Sequence, residues 1–281
     1  MRKKNILLSA ALIGATLVTP SSLSPYGGTI VVVGFSKDEL VFAADSRAII
    51  GERPDDTACK IVALEPDLIF AAAGTTGQGD PKHPLWSATD EARHAQAMIS
   101  QTNAGSGQNN LERMASLWAN ATAQHLKAAI IQDARFVDRN HPELIIGVFG
   151  FRGKDANLER AKATLNYDAA ASTASEPVIA WNVETGKIDP SMSSRNYEAF
   201  GDKAVLEEVS AGQTDRAKKE LAVREKILNK ASNVLEEFAI RSAEAVVQYS
   251  DDGKVGGPID AVSLDHSGIK WIKRKSGCPA D

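Results

Sequence analysis

The sequence has little cysteine, few aromatic residues and no excess of positive charge. Two cysteines among 281 residues are too few for a disulfide scaffold, and Cys59 and Cys278 either pair after export or remain free thiols. A hydrophobic share of 43% with 6% aromatic residues is ordinary for a globular core. The formal net charge of -4 at pH 7 argues against a nucleic-acid partner.

Motifs for metals, nucleotides and serine nucleophiles are also missing. The five histidines do not follow the spacing of metal ligands. Residues 74–79 contain glycines without the Lys-Ser/Thr pair of a phosphate-binding loop, and residues 105–107 lack the spacing of a nucleophile elbow. The sequence therefore predicts no cofactor and no bound metal.

The N-terminus reads as a leader. Residues 2–4 are basic and residues 6–18 are apolar, a stretch shorter than the roughly 20 residues that span a bilayer. This pattern predicts a signal-like leader, export to the periplasm or the extracellular space, and no stable membrane span; without a working signal the protein would be cytoplasmic. Residues 1–28 hold three basic side chains and no acidic one, so their loss would change the net charge from -4 to -7.

Three residues behind this leader form a potential nucleophile set. Thr29 opens an apolar strand, Asp45 ends the next strand and Lys60 lies on the third. A threonine hydroxyl is a weak nucleophile unless a base is at hand, and a free α-amino group on the same residue supplies one. This reasoning predicts a cut between Gly28 and Thr29, which makes residues 1–28 a removable propeptide.

Residues 28–79, with the segments GGTIVVV, KDELVFAADSR, CKI and AAAGTTG, resemble the start of a β-type subunit of the 20S proteasome family of N-terminal-nucleophile hydrolases. The resemblance implies that Thr29 is the processed threonine and that Asp45 holds Lys60 charged and oriented. It assigns Lys60 to holding the threonine oxygen and the backbone N–H of Gly74 to an oxyanion hole. It further implies threonine-type hydrolysis of amide bonds in peptide or protein substrates.

Two alignments of this resemblance remain open. With Thr29 as the first mature residue, Lys60 and Gly74 come one residue early, which a single deletion in residues 48–58 explains. The rival alignment places Gly28 at the nucleophile position but needs an extra residue in the first turn and a later loss. Because subunits with this Gly-Gly pair include unprocessed ones, the alternative function is a noncatalytic scaffold or binding subunit that keeps its leader.

The far end of the chain departs from the family pattern. Asp252 falls where the family has a supporting aspartate, whereas the accompanying serine position holds Val255. A second serine position, after a glycine, holds Asp202. The loss of both hydroxyls weakens the case for full activity and favours the scaffold alternative.

Apolar periodicity predicts hairpins and amphipathic helices, an order of elements that several α+β folds share. The resemblance selects a four-layer αββα sandwich over residues 29–275, followed by a flexible tail at 276–281, and implies a homo-oligomer. The predicted strands are 30–35, 40–44, 60–64, 68–73, 144–151, 178–183, 259–264 and 269–272, and the predicted helices are 90–100, 110–132 and 215–248.

Overall fold

The computed structural model describes residues 25–50, 53–101, 108–134, 137, 142–153, 157–173, 175–189, 196–251 and 253–278. These residues form a mixed α/β structure with antiparallel sheets and five helices, compatible with an α+β fold. Asp252 and most of the predicted leader lie outside the described residues.

The first sheet carries the strand that follows Thr29. Its order is β13-β2-β3-β14-β15, with every neighbouring pair antiparallel. The predicted hairpin at its centre is confirmed, since Val31 lies opposite Ala44 in the pairing of β2 with β3. Both strands are buried on both faces, which explains their continuous apolar runs. The strands are β2 Ile30–Phe35, β3 Glu39–Ala44, β13 Asn196–Gly201, β14 Asp260–Asp265 and β15 Gly268–Lys273.

The second sheet begins directly after Lys60. Its order is β12-β11-β10-β7-β6, again antiparallel throughout, and the predicted hairpin of β6 and β7 is confirmed. The sequence did not predict β11, because alanines fill two of its buried positions and alanine is a weak strand former. The strands are β6 Ile61–Glu65, β7 Leu68–Gly74, β10 Glu143–Arg152, β11 Leu158–Tyr167 and β12 Ile179–Lys187.

A third, smaller sheet places part of the predicted leader at its centre. Its order is β5-β4-β1-β8-β9, and β1 pairs antiparallel with β4 on one side and with β8 on the other. The chain just before Thr29 is therefore held by backbone hydrogen bonds from two directions. The strands are β1 Pro25–Gly27, β4 Ala48–Ile50, β5 Arg53–Asp55, β8 Gly77–Asp80 and β9 His83–Ser87.

Five helices accompany the sheets in the described residues. The predicted helices at 90–100 and 110–132 are confirmed, whereas the single helix predicted over 215–248 is wrong. The side chain of Asn233 accepts hydrogen bonds from the backbone of Leu235 and Glu236 and so starts a new helix. None of the described helices has the length and apolar character needed to cross a bilayer. They are α1 Ala88–Gln101, α2 Gln108–Gln132, α3 Ala204–Ala211, α4 Asp215–Leu228 and α5 Val234–Tyr249.

The buried apolar residues form three large clusters. One joins the second sheet to α1 and α2, where the Trp118 ring lies 5.3 Å from that of Phe70. Another combines residues of the first and second sheets, among them Phe42 and Val148. The last joins the first sheet to α3 and α5. Thr29 stands where β2 begins, next to the cluster that both larger sheets share.

Candidate active site

Lys60 and Asp45 form a buried ion pair at the start of β6. Their side chains are 1% and 0% exposed, and Nζ lies 2.8 Å from Oδ1. Lys60 Nζ also donates to the carbonyl oxygen of Gly28 at 2.8 Å and to that of Arg47. A lysine ammonium has three protons to donate, and three acceptors surround it here. The environment therefore accommodates the charged form of Lys60.

The carboxylate of Asp45 is fixed by three separate segments of the chain. Oδ1 accepts from the backbone N–H of Ile30 at 3.0 Å, and Oδ2 accepts from those of Arg47 at 3.1 Å and Gly256 at 3.0 Å. Hydrogen bonds from backbone N–H groups to an ionised acceptor are short and directional. Asp45 thus holds Lys60 in position through contacts that draw on both ends of the sequence.

Burial lowers the pKa of Lys60. Removal from water disfavours the charged ammonium and lowers the pKa of Lys60 below its ordinary value of 10.5, while the neighbouring Asp45 charge opposes this shift. Lys60 therefore loses its proton at a lower pH than a lysine exposed to water.

Thr29 is buried, and its backbone and side chain are both engaged. Its Oγ1 donates to the carbonyl oxygen of Gly28 at 2.5 Å, and its own carbonyl accepts from the N–H of Asp202 at 2.9 Å. Gly201 has a φ of +87°, and a Cβ there would collide with the Thr29 carbonyl oxygen. Only glycine permits this approach of the chain to Thr29.

Thr29 and Lys60 meet at one atom, the carbonyl oxygen of Gly28. The sequence predicted that Lys60 would hold the threonine oxygen. One of the three hydrogen bonds that Lys60 donates goes instead to the carbonyl of the peptide bond before Thr29. An ammonium bound to a carbonyl oxygen polarises that carbonyl and stabilises negative charge that develops on it.

Gly74, which was predicted to supply the oxyanion N–H, lies next to Gly27, one residue before the Gly28 carbonyl. Gly74, at the end of β7, has a φ of +98° and is paired with Ile145 of β10. Its carbonyl oxygen is 2.8 Å from the position of a Cβ on Gly27. Gly74 is therefore adjacent to Gly27, the residue that precedes Gly28.

Asp252, predicted as a supporting acid, lies outside the described residues. Its neighbour Val255 is 2% exposed and belongs to the apolar cluster of the first sheet and its helices. Gly256 follows and supplies the N–H to Asp45. This segment thus contributes an apolar side chain and a backbone donor to the surroundings of the ion pair.

Sequence reasoning missed the backbone contributions of Asp202 and Gly256. Both donate an N–H to a site residue from more than 170 positions further along the chain, and both sit beside glycines with positive φ. Asp202 also accepts a hydrogen bond from Ser250 Oγ at 3.2 Å. The sequence does contain Gly201-Asp202 and Gly256-Gly257, and both pairs indicate tight turns. Such a pair does not show which residue the backbone N–H of the turn will contact.

No three side chains of His, Cys, Asp or Glu come together to hold a metal within the part of the chain that the structure describes. The sequence matches no protein-family model and has no significant match among curated proteins.

Proposed function

We propose that the chain is an exported threonine peptidase or amidase of the proteasome β-type kind, which cuts itself between Gly28 and Thr29. The observation that carries this proposal is the convergence of the Thr29 hydroxyl and the Lys60 ammonium on the Gly28 carbonyl. A nucleophile and an electrostatic stabiliser then face the same peptide bond.

The packing supports the four-layer αββα sandwich as the fold that goes with this function. One apolar cluster contains residues of both the first and the second sheet, and each of these two sheets also shares a cluster with its own set of helices. A four-layer arrangement over residues 29–275 requires the two sheets to pack against each other and each sheet to carry helices on its outer face. The three clusters are consistent with this order of layers.

In this proposal, self-cleavage is an acyl shift. Thr29 Oγ1 attacks the carbonyl carbon of Gly28, so the new C–O bond forms and negative charge appears on the carbonyl oxygen beside Lys60 Nζ. The C–N bond then breaks, and the hydroxyl proton ends on the α-nitrogen of Thr29. Water hydrolyses the resulting ester, which leaves a carboxylate on Gly28 and a free amine and hydroxyl on Thr29.

Strand β1 holds the leader in place for this step. Tyr26 pairs with Ile50 of β4 and with Gly77 of β8. Gly28 has a φ of +89°, and a Cβ there would lie 2.6 Å from the carbonyl oxygen of Lys254. Residues 25–27 are thus paired on both sides and followed by a turn at Gly28 that requires glycine, which favours a single reactive geometry.

Turnover of other substrates uses the same groups after the cut. The new α-amine of Thr29, with an ordinary pKa of about 8, accepts the hydroxyl proton, and the oxygen attacks an amide carbonyl. Lys60 and Asp45 stabilise the threonine oxygen, Gly74 supplies the oxyanion N–H, and Asp252 supports the amine. Water releases the acyl group and restores the enzyme.

The proposal extends to export and assembly. Cys59 and Cys278 form a disulfide, and such bonds persist in oxidising compartments outside the cytosol. Residues 1–28 would serve as signal and propeptide, and the mature domain would form a homo-oligomer that acts on peptides or proteins.

The scaffold alternative is favoured by one specific observation. The position at which the family has a serine holds Val255, whose side chain is buried among apolar residues instead of facing Thr29 with a hydroxyl. In this alternative the leader strand remains in its sheet, and the site is a structural remnant.

The mass of the native protein and its N-terminal sequence decide between the two. We expect the wild-type chain to begin at Thr29, and Thr29→Ala to retain the residues just before position 29. Thr185→Ala, on β12 away from the site, is the matched control and should be cut like the wild type. A wild-type chain that begins at Gly27 or Gly28, or that keeps the leader, would contradict the threonine mechanism and favour the scaffold.

A further inference from the structure

Arg47 contacts both members of the buried ion pair through its backbone. Its N–H donates to Asp45 Oδ2 at 3.1 Å, and its carbonyl oxygen accepts a hydrogen bond from Lys60 Nζ. A displacement of Arg47 would therefore remove one partner from each of the two charged groups. The position of this residue is thus coupled to the geometry of the pair.

The side chain of Arg47 is held by Asp56, which lies in the turn after β5. Nε lies 2.7 Å from Oδ1, and Nη2 lies 3.0 Å from Oδ2. Two hydrogen bonds between a guanidinium and a carboxylate fix the orientation of both groups as well as their separation. The hydrogen bond from Arg47 holds the pKa of Asp56 below its ordinary value. Asp56 is therefore ionised at neutral pH.

A glycine-rich loop, residues 253–257, packs against this second ion pair. Arg47 Nη1 donates to the carbonyl oxygen of the first residue of the loop at 3.3 Å. A Cβ on Gly256 would lie 2.3 Å from Arg47 Cζ, and a Cβ on Gly257 would lie 2.9 Å from Asp56 Cγ. The two glycines are needed because the guanidinium and the carboxylate occupy the space that their side chains would take.

The glycine-rich loop in turn contacts the carboxylate of Asp45. The N–H of Gly256 donates to Asp45 Oδ2 at 3.0 Å, and the Gly256 carbonyl accepts from the N–H of Arg47 at 3.1 Å. The third N–H on Asp45 comes from Ile30 of β2. Two of the three backbone donors to Asp45 therefore belong to the network in which Asp56 takes part.

We propose that Asp56 is a positioning residue that keeps the Lys60–Asp45 pair in its reactive geometry. It acts through Arg47, whose guanidinium it holds against the glycine-rich loop and whose backbone contacts both members of the pair. The inference rests on the proposed function, since it gives Asp56 a part in the cleavage step. The hold of the loop on Asp45 is measurable without any cleavage.

The charge of Asp56 also acts on Lys60. Burial lowers the pKa of Lys60 and the nearby Lys275 lowers it further, whereas Asp45 and, to a smaller extent, Asp56 raise it. Without the Asp56 charge, Lys60 should lose its proton at a lower pH. Because self-cleavage needs the ammonium, the alkaline decline of its rate should move to lower pH in Asp56→Asn.

The kinetic test compares Asp56→Asn, Arg47→Lys and the double variant with the wild type, with intact mass against time as the measure of self-cleavage. Asparagine removes the charge of the carboxylate, and lysine removes the forked set of donors. We expect each single substitution to slow cleavage about tenfold, because a small displacement of catalytic groups has effects of up to about a hundredfold. The double variant should be no slower than the slower single one, because both substitutions break the same contact.

The matched control is Glu198→Gln, which breaks an ion pair of similar exposure with Arg160 and should be cut like the wild type, with the same pH profile. A rate for Asp56→Asn within about twofold of the wild type, or a double variant in which the two losses multiply, would overturn the proposal. Identical pH profiles in Asp56→Asn and Glu198→Gln would also overturn it, since they would leave Asp56 with a structural role alone.

A measurement on the uncut chain covers the case in which nothing is cut and the proposed function itself fails. In Thr29→Ala, amide hydrogen exchange followed by NMR reports how firmly the N–H groups of Gly256 and Ile30 are held on Asp45. Adding Asp56→Asn should speed exchange at Gly256 about tenfold or more and leave exchange at Ile30 unchanged. Equal exchange at Gly256 with and without Asp56→Asn would overturn the proposal, whether or not the wild-type chain cuts itself.

Discussion

The part of the chain that the structure describes contains two buried lysine–aspartate pairs, and they differ in what each lysine contacts beyond its partner. Lys60 pairs with Asp45 at 2.8 Å and Lys275 pairs with Asp260 at 3.3 Å, with all four side chains at most 7% exposed. Burial lowers the pKa of both lysines. Lys60 reaches the carbonyl before Thr29, whereas Lys275 reaches the carbonyl of Ala58. Burial, pairing and a lowered pKa therefore do not distinguish the two lysines, and the proposed role of Lys60 depends on the carbonyl that it contacts.

Removing the acid of either pair tests what the two have in common. Asp45→Ala and Asp260→Ala each leave a lysine ammonium buried without its counterion, and we expect each to lower the free energy of unfolding by about 3–5 kcal/mol. Urea denaturation followed by circular dichroism measures the loss. Asp38→Ala, which removes an exposed partner of Lys37, is the matched control and should stay within about 0.5 kcal/mol of wild type. Equal stabilities in all three variants would show that neither pair is buried in solution.

Replacing each lysine by alanine distinguishes the roles of the two pairs in self-cleavage. Lys60→Ala should slow self-cleavage about a hundred- to a thousandfold, because a lost electrostatic contact to a developing oxyanion costs roughly 3–4 kcal/mol. Lys275→Ala should destabilise the protein but leave the cleavage rate of the folded fraction close to wild type. Intact mass against time, on freshly synthesised chains, gives both rates.

The Lys60→Arg variant tests whether a different cation at this position can support cleavage. A guanidinium is broader than an ammonium and does not fit between three fixed acceptors, so we do not expect it to restore cleavage. Cleavage by Lys60→Ala within about threefold of the wild-type rate would reduce the first pair to a structural role like that of the second.

Breaking the disulfide affects the second pair's surroundings. The bond closes a loop of 219 positions, and its loss should lower the free energy of unfolding by about 2–5 kcal/mol, mainly because the unfolded chain gains freedom. Thermal melts of Cys59→Ser with Cys278→Ser, beside the wild type with and without a reductant, measure this. If the reductant leaves the wild-type melting temperature unchanged, the disulfide contributes no stability.

The pH dependence of stability and of cleavage is the smallest effect that we expect, and it involves both lysines. Between the lowered pKa of each lysine and the ordinary 10.5, the unfolded chain binds more protons than the folded one, so stability rises with pH in that interval. Self-cleavage changes in the opposite direction, because it needs the Lys60 ammonium and declines as that group loses its proton. Rates and unfolding midpoints measured from neutral to alkaline pH should diverge in this way. A cleavage rate that does not decline before free lysine titrates would contradict a role for the charged form.

The sequence predicted the first pair but not the second. Asp45 and Lys60 lie at the ends of hairpins that short apolar runs with turn residues between them indicated. Since β3 and β6 belong to different sheets, the approach of the two residues was predicted from the family resemblance and not from local structure. Lys275 and Asp260 belong to a segment whose position depends on the disulfide and on pairing between distant strands. Periodicity carries no information on such contacts, which depend on how sheets pack.

The same limit explains the errors around the site. The N–H of Asp202 donates to Thr29, and the N–H of Gly256 donates to Asp45, from positions far along the sequence. A pattern of side chains does not predict which backbone N–H will act as such a donor. The helix predicted over 215–248 failed at Asn233, where a local side-chain cap outweighed a periodicity that continued on both sides.

Strand β1 is the middle strand of its sheet, and its neighbours β4 and β8 do not pair with each other. Loss of the leader would therefore divide five strands into two separate ribbons, each too small to be stable alone. Both ribbons would gain an open edge of the type that proteins normally cover, because an uncovered edge recruits other extended chains. If the chain cuts itself as proposed, β1 covers these edges until the cut is made. A chain cut after folding would then offer its open edges to a substrate, whereas a chain cut during folding would offer them to other unfolded copies.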